Sequence, residues 1–417
     1  MINKNKLLLI ESEMIEPKGH FLDYLLETSN YFKQKKNIFW FLNKNFKAEN
    51  IQLPKFCNIK KIISSNRFKR KENKFFYLIE EIFFLFKNFF DIIYFVFFFF
   101  KNKRKLFYFL KCLFLNSFIV PRYFKSFYLD FIKLNFNYND DIIFQSCRRK
   151  DMALIFFLYN LEKEQLPKIH IRIFHLPKKR FKDFNFYLDK IKETIEKRVF
   201  IYTEEGYKKK FLVRELGKDN LVHSTKPIFS FYNRKLDLIN HTIGFVGEAR
   251  INKGFNEIPK FIEIINKHRK NINFIIQFSN LDNYTYETAN LLHELSLKYK
   301  NIQIINKYCD YNEYRSILKK ITIMPLLYDL KQIKIGSGVL YSCVSHEIIP
   351  IIPKNCDYLK EILSSNSYLE ASDIDCFADN SLIIIKDYKN YLANAKNSSK
   401  NLLRSIENDF LINNVSD

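Results

Sequence analysis

The sequence predicts an α/β protein of two Rossmann-like β/α/β domains facing each other across a cleft. Three observations predict it. The chain has 417 residues, enough for two domains of about 200 each. Short apolar runs alternate with helical stretches of about 10–15 residues in both halves, the rhythm of a parallel sheet covered on both faces. Two strand-to-helix loops in the second half combine glycine with Arg or Lys, which suits a ligand bound beyond the strand ends.

The first half opens as a βαβ unit. Residues 6–10 form an apolar run suited to a buried parallel strand, and a loop with Pro17, Gly19 and His20 follows. Residues 21–35 have helical spacing, with Phe21, Leu22, Leu25 and Leu26 on one face, and 38–42 read as the next strand. Further on, 141–144, 169–174 and 199–202 read as strands. Residues 151–161, 181–197 and 204–216 read as helices, the last stopping at the C-cap glycine Gly217. Residues 218–241 lack periodicity and are read as the linker between domains. In the second half, strands are expected at 243–246, 272–278, 302–305, 321–324, 349–352 and 382–385, with helices between them and a long one over 388–409. The domains are therefore drawn as 1–226, carrying a hydrophobic helical insertion at about 75–135, and 242–386, followed by a C-terminal helical segment over 387–417.

The insertion is unusual in composition. Residues 82–100 are almost wholly aromatic and aliphatic, broken by Lys87, Asn88 and Asp91, with Lys101, Lys103, Arg104 and Lys105 directly after. Charges inside the run oppose a lipid-facing span. A helix lying in the plane of an anionic membrane fits best, a buried hairpin and a transmembrane helix being the other readings.

The net charge of +23 points to a membrane, nucleic acid or phosphorylated substrates as partner. The abundance of Lys, Asn, Ile and Phe also has a plainer source, the codon bias of an AT-rich genome. No helix-turn-helix, zinc-finger or RNP-like pattern is present, and the aromatics are mostly Phe in apolar runs, so no nucleic-acid partner is expected. The seven cysteines contain no CxxC pair, and the N-terminal apolar run is too short for a signal peptide. A reduced, cytoplasmic setting is expected, peripheral on the inner face of the plasma membrane.

Two segments carry the chemistry. In 244–255, GFVGEARINKGF, a strand ends at Gly247 and a loop presents Arg250 and Lys253 before Gly254 opens a helix. Two cations and helix amides at one loop can clamp a diphosphate; a solvated basic loop is the plain alternative. In the second segment, strand 321–324 leads through Pro325-Leu326-Leu327-Tyr328-Asp329 to Lys334 and then Gly336-Ser337-Gly338-Val339, a helix start whose amides form an anion nest.

These segments, with FIIQF (274–278), the stretch 301–329 and GSGVLYSCVSHEIIPIIP (336–353), resemble the retaining GT-B glycosyltransferases of the group 1, or family 4, type. The resemblance covers residues 242–365. It implies the GT-B architecture and transfer of a sugar from a nucleotide-sugar donor, a UDP- or GDP-sugar first, with retention and with no metal or other cofactor. It implies donor contacts from Arg250, Lys253, Ser337, Gly338 and Val339, which Gly247, Lys334 and Gly336 join by their place in the two loops, and catalytic roles for Arg250 and Lys253. His175, at the end of a first-half strand, is a further catalytic candidate. Gly19 and His20 are placed to meet the acceptor, with Arg172 as an additional contact. The acceptor implied is a glycan or lipid-linked saccharide of the cell envelope. Many family members carry two glutamates eight positions apart around this helix start, where this chain has Lys334 and Ser342. The alternatives are therefore a non-catalytic GT-B relative at a membrane and a basic nucleic-acid-binding protein. Asp373-Ile374-Asp375 matches the metal-binding DxD pattern but reads as a helix cap.

Overall fold

The computed structural model describes residues 4–12, 14, 20–43, 46, 54–63, 89–90, 92–107, 110, 120–147, 149–162, 165–173, 197–204, 207–217, 222–234, 241–269, 271–329 and 337–416. The chain forms two compact units, one of Met1–Ile228 with Asp409–Asp417 and one of Phe229–Asn408.

The first unit is built on a seven-stranded sheet: β1 (Lys6–Glu11), β2 (Asn37–Asn43), β3 (Asn58–Ile63), β4 (Asp141–Phe144), β5 (Lys168–Arg172), β6 (Val199–Thr203) and β7 (Val222–Ser224). The order is β3-β2-β1-β4-β5-β6-β7, and every pairing is parallel. β1 buries five of its six residues because a parallel sheet is covered on both faces, which is why it reads as an unbroken apolar run. The described helices are α1 (His20–Phe32), α2 (Val120–Lys133), α3 (Arg149–Leu161) and α4 (Tyr207–Leu216), which ends at Gly217 with φ 68°. The C-terminal helix Phe410–Ser416 returns to this unit, where Phe410 stacks on His223 of β7 at 4.0 Å between ring centroids.

Two sequence expectations change here, and one strand is added. Residues 218–241 are not all linker, since β7 adds an edge strand there, and β3 appears where the Lys-rich stretch Asn58–Ile63 gave no clear strand pattern. The strand expected to run to 174 ends at Arg172. The helix expected over 181–197 lies mostly outside the described residues, as does the insertion before residue 89. Residues 92–99 and 103–107 are helical, and no described helix is long and apolar enough to cross a membrane.

The second unit carries a six-stranded parallel sheet, β8 (Thr242–Glu248), β9 (Asn273–Ser279), β10 (Ile302–Asn306), β11 (Ile323–Pro325), β12 (Ile349–Pro353) and β13 (Leu369–Ala371), in the order β10-β9-β8-β11-β12-β13. Its helices include α5 (Ile258–His268), α6 (Tyr286–Lys298), α7 (Tyr311–Lys320), α8 (Gly338–Ser345), α9 (Ile374–Lys386) and α10 (Tyr388–Glu407). The run expected as a strand at 382–385 is the end of α9. Asp373 caps that helix by accepting the Cys376 N–H, and Phe377, Ala378, Ser381, Ile384 and Ile385 are buried along it at helical spacing. The sixth strand is instead the three-residue β13.

The chain steps outward from β8 to β10 and then returns to β11 beside β8. Neighbouring strands thus send their loops in opposite directions, and a crevice opens at their carboxyl ends. In the first unit the same switch lies between β1 and β4.

Candidate functional site

The crevice of the second unit is made by the loops after β8 and β11. Gly247, at φ 122°, donates its N–H to Gln277 Oε1 at 3.0 Å, and Gln277 Nε2 donates to Lys307 O at 2.9 Å. One side chain of β9 thereby ties the ends of β8 and β10. The chain then tightens into a 3-10 turn over Ile251–Lys253, with Lys253 N–H on Arg250 O and Gly254 N–H on Ile251 O. Gly254 holds φ 76°, and a Cβ there would lie 2.1 Å from Leu327 O, so only glycine lets this turn rest on the other loop. Asp329 N–H donates to Asn252 O at 3.0 Å and fastens the two loops together.

Ser337 caps α8, accepting the Leu340 N–H on its hydroxyl at 3.2 Å. The same hydroxyl meets the Tyr328 hydroxyl at 2.7 Å. Burial pushes the Tyr328 phenol well above its ordinary pKa, so it stays a neutral partner. The Ser337 hydroxyl is thus occupied in shaping the helix start, and the Gly338 and Val339 amides at the first turn are the groups that suit an anion.

The cations differ in setting. Arg250 is about half exposed and lies 3.6 Å from Glu248, which also accepts from Asn280. Lys253 is half-buried; burial first, and the Arg250 guanidinium second, bring its ammonium down to about 8, against an upward pull from Glu248. Lys253 lines a solvent-open pocket with Phe245, Gly247, Gln277, Leu327, Tyr328 and Val339. The lining is mostly apolar and includes the Lys253 cation and Val339 of the helix start, which suits an organic phosphate. Ser342, in the place of a family glutamate, is buried in α8 with its hydroxyl on Gly338 O.

The structure brings Gly247, Arg250, Lys253, Ser337, Gly338 and Val339 to one end of the second sheet. Lys334 and Gly336 lie outside the described residues, as do Gly19 and His175. His20 is the first residue of α1; its side chain is outside the described residues too. Gln277, Asn252, Tyr328 and Asp329 lie within the motifs read from the sequence but had no role there; their contacts join separate strands and loops.

A polar group lies at the carboxyl ends of β1, β4 and β5, of which the sequence singled out Arg172 and not Glu11, Gln145 or Ser146. Ser146 donates to both carboxylate oxygens of Glu11 at 2.6 and 2.8 Å, and Arg172 donates to Gln145 Oε1 at 2.7 Å beneath the Tyr24 ring. Asp23 sits on α1 nearby in sequence, its carboxyl raised to about 7 by burial and then by Glu27. The signal available was Glu11-Ser12 directly after an apolar strand.

No family model and no curated protein matches the chain by sequence. Solved structures do match by fold over its whole length. HepE from Anabaena, in complex with UDP and glucose, superposes with a TM-score of 0.54 at 9% identity, covering 99% of this chain and 97% of its own. A glycosyltransferase from Rickettsia africae gives 0.58 at 12% identity, with coverages of 99% and 96%. Sucrose-phosphate synthase from Thermosynechococcus elongatus gives 0.55 at 9% identity, again with 99% and 96%. The fold is therefore that of the GT-B glycosyltransferases, two Rossmann-like units each with its own parallel sheet.

Proposed function

We propose that the chain is a glycosyltransferase that binds a nucleotide-sugar at the β8–β11 crevice of its second unit. The observation that carries this reading is the Asn252–Asp329 bond at 3.0 Å, which holds the Arg250–Lys253 turn against the loop that leads to the α8 helix start. Two cations and the first-turn amides of α8 then face one anion.

In this reading the bond from the anomeric carbon to the donor phosphate breaks, and the negative charge grows on the leaving nucleoside diphosphate. Arg250, Lys253 and the Gly338 and Val339 amides stabilise it from fixed positions, a role that needs no metal. The acceptor hydroxyl forms the new bond to the anomeric carbon and passes its proton to the leaving phosphate, with retention. The acceptor is a glycan or lipid-linked saccharide, and the first unit supplies its site, with Gly19 and His20 as the residues that meet it. The donor is a UDP- or GDP-sugar, and the reaction runs on the cytoplasmic face of the plasma membrane. HepE, bound to UDP and glucose in its crystals, lends the donor class support by fold.

Thermal-shift screening against UDP-, GDP- and ADP-sugars tests the reading, because a donor that binds the folded chain raises its melting temperature. Sugar transfer that is unchanged in Arg250→Ala and Lys253→Ala would sink it. A second reading rests on Ser342, whose hydroxyl is turned to its own helix where a family carboxylate is expected. Donor binding without turnover or hydrolysis would select a non-catalytic relative.

A further inference from the structure

Phe95 and Phe99 lie one helical turn apart, are buried, and pack on each other and on Tyr128 of α2. That is the core-facing side of residues 92–99. The opposite side is aromatic as well, and it faces water. Phe97 is 73% exposed, while Tyr94 and Phe98 stack on each other at 5.9 Å with about two-fifths of their surface open. Phe100 and Phe107 are exposed as well, at 69% and 63%. A helix on a soluble domain needs one apolar face; a second contiguous one marks a surface made to meet something apolar.

The charge beside it says what. Lys101, Lys103 and Arg104 follow the aromatic run and are exposed. Asn102 turns the chain between the two helical pieces, accepting the Lys105 N–H on its side chain at 3.0 Å. No Asp or Glu occurs anywhere from residue 92 to residue 129. Lys105 is engaged internally: it reaches Glu162 at 2.6 Å, and Glu162 also accepts from the Tyr128 hydroxyl, so the segment is held to the body of its unit.

We propose that residues 92–107 are an in-plane docking surface for an anionic lipid bilayer. Phe97, Phe98 and Phe100 enter the boundary between headgroups and acyl chains, and Lys101, Lys103 and Arg104 meet the lipid phosphates. Phe95 and Phe99 are buried against Tyr128 while Phe97 is exposed, so the segment lies with one side on its own unit and the other side turned to the membrane surface. The proposal rests on exposure and charge in the first unit and not on the sugar-transfer reading.

Co-sedimentation of the full chain with phosphatidylglycerol/phosphatidylcholine vesicles, and with phosphatidylcholine alone, tests it. The chain is expected to pellet with anionic vesicles at least about tenfold better than with neutral ones, and salt is expected to release it. F97S/F98S/F100S is expected to lower the partition by about tenfold or more, and K101Q/K103Q/R104Q by a similar factor. Phe97→Trp supplies a reading that does not depend on a triple variant folding: its added emission shifts to the blue on anionic vesicles. Wild-type partition by F97S/F98S/F100S, or a Phe97→Trp spectrum unmoved by vesicles, overturns the proposal. So does dimerisation that the same Phe variants abolish while vesicles bind nothing, since it would give this face to a second copy of the chain. Nucleotide-sugar binding without vesicles is expected to be unchanged in all these variants, so a failed docking surface and a failed donor site show up separately.

Discussion

The Tyr328 hydroxyl lies 2.7 Å from the Ser337 hydroxyl, joining the loop after β11 to the cap of α8. Both residues are buried, so neither hydroxyl has water as a ready substitute. Tyr328→Phe is expected to cost about 1 kcal/mol in denaturant unfolding of the second unit, the usual worth of one such bond. Ser337→Ala is expected to cost more, about 1–2 kcal/mol, because it removes the helix cap and strands the Tyr328 hydroxyl. Equal stabilities of wild type and Ser337→Ala would contradict this.

Gly254 makes the contact between the loops possible. At φ 76°, and with a Cβ position 2.1 Å from Leu327 O, alanine is opposed by both conformation and space. Gly254→Ala is expected to destabilise the second unit by about 1–3 kcal/mol or more and to abolish nucleotide binding, read by urea titration and calorimetry. Wild-type nucleotide affinity in Gly254→Ala would show that the two loops do not act as one site.

Lys253 sets a pH dependence. Its ammonium loses its proton near pH 8, below the ordinary 10.5, and a diphosphate favours the charged form. Affinity for UDP is expected to be flat below pH 7 and to fall by up to about tenfold per unit above pH 8, as the protonated fraction drops. Lys253→Arg, which stays charged, is expected to remove that slope. Without ligand the sign reverses. The unfolded chain binds the extra proton between about 8 and 10.5, so this group makes stability rise with pH in that window. An unchanged slope in Lys253→Arg would assign the titration to another group.

Asp141 anchors the first unit. It takes Lys36 Nζ at 3.0 Å and His170 Nε2 at 3.0 Å, all three buried. Asp141→Ala would leave the Lys36 charge without its carboxylate, and a loss of about 3–5 kcal/mol in urea unfolding is expected. A loss below about 1 kcal/mol would mean that water or another group replaces it.

The parallel sheets were legible because strands covered on both faces must be apolar throughout, as Leu7–Ile10 and Phe274–Ile276 are. The misreadings have the same root. Leu382–Ile385 is apolar enough for a strand, but the Asp373 cap nine residues earlier starts a helix that absorbs it. β13 and β7 have three residues each, too few for any period to show. At the site, glycines and cations within one loop can be read from spacing, so Arg250, Lys253 and Gly254 stand out. Tyr328 and Gln277 do not, because their partners lie 9 and 30 positions away and meet them only once the sheet has formed.

The central claim is that Arg250 and Lys253 hold the phosphates of a nucleotide. Calorimetric titration of UDP into wild type and into R250A/K253A tests it most directly. The account predicts binding at least about 100-fold weaker in the double variant, as expected for losing two charge-assisted contacts, with the melting temperature of the unliganded chain kept. Affinity within about threefold of wild type, in a double variant that is folded, would contradict it.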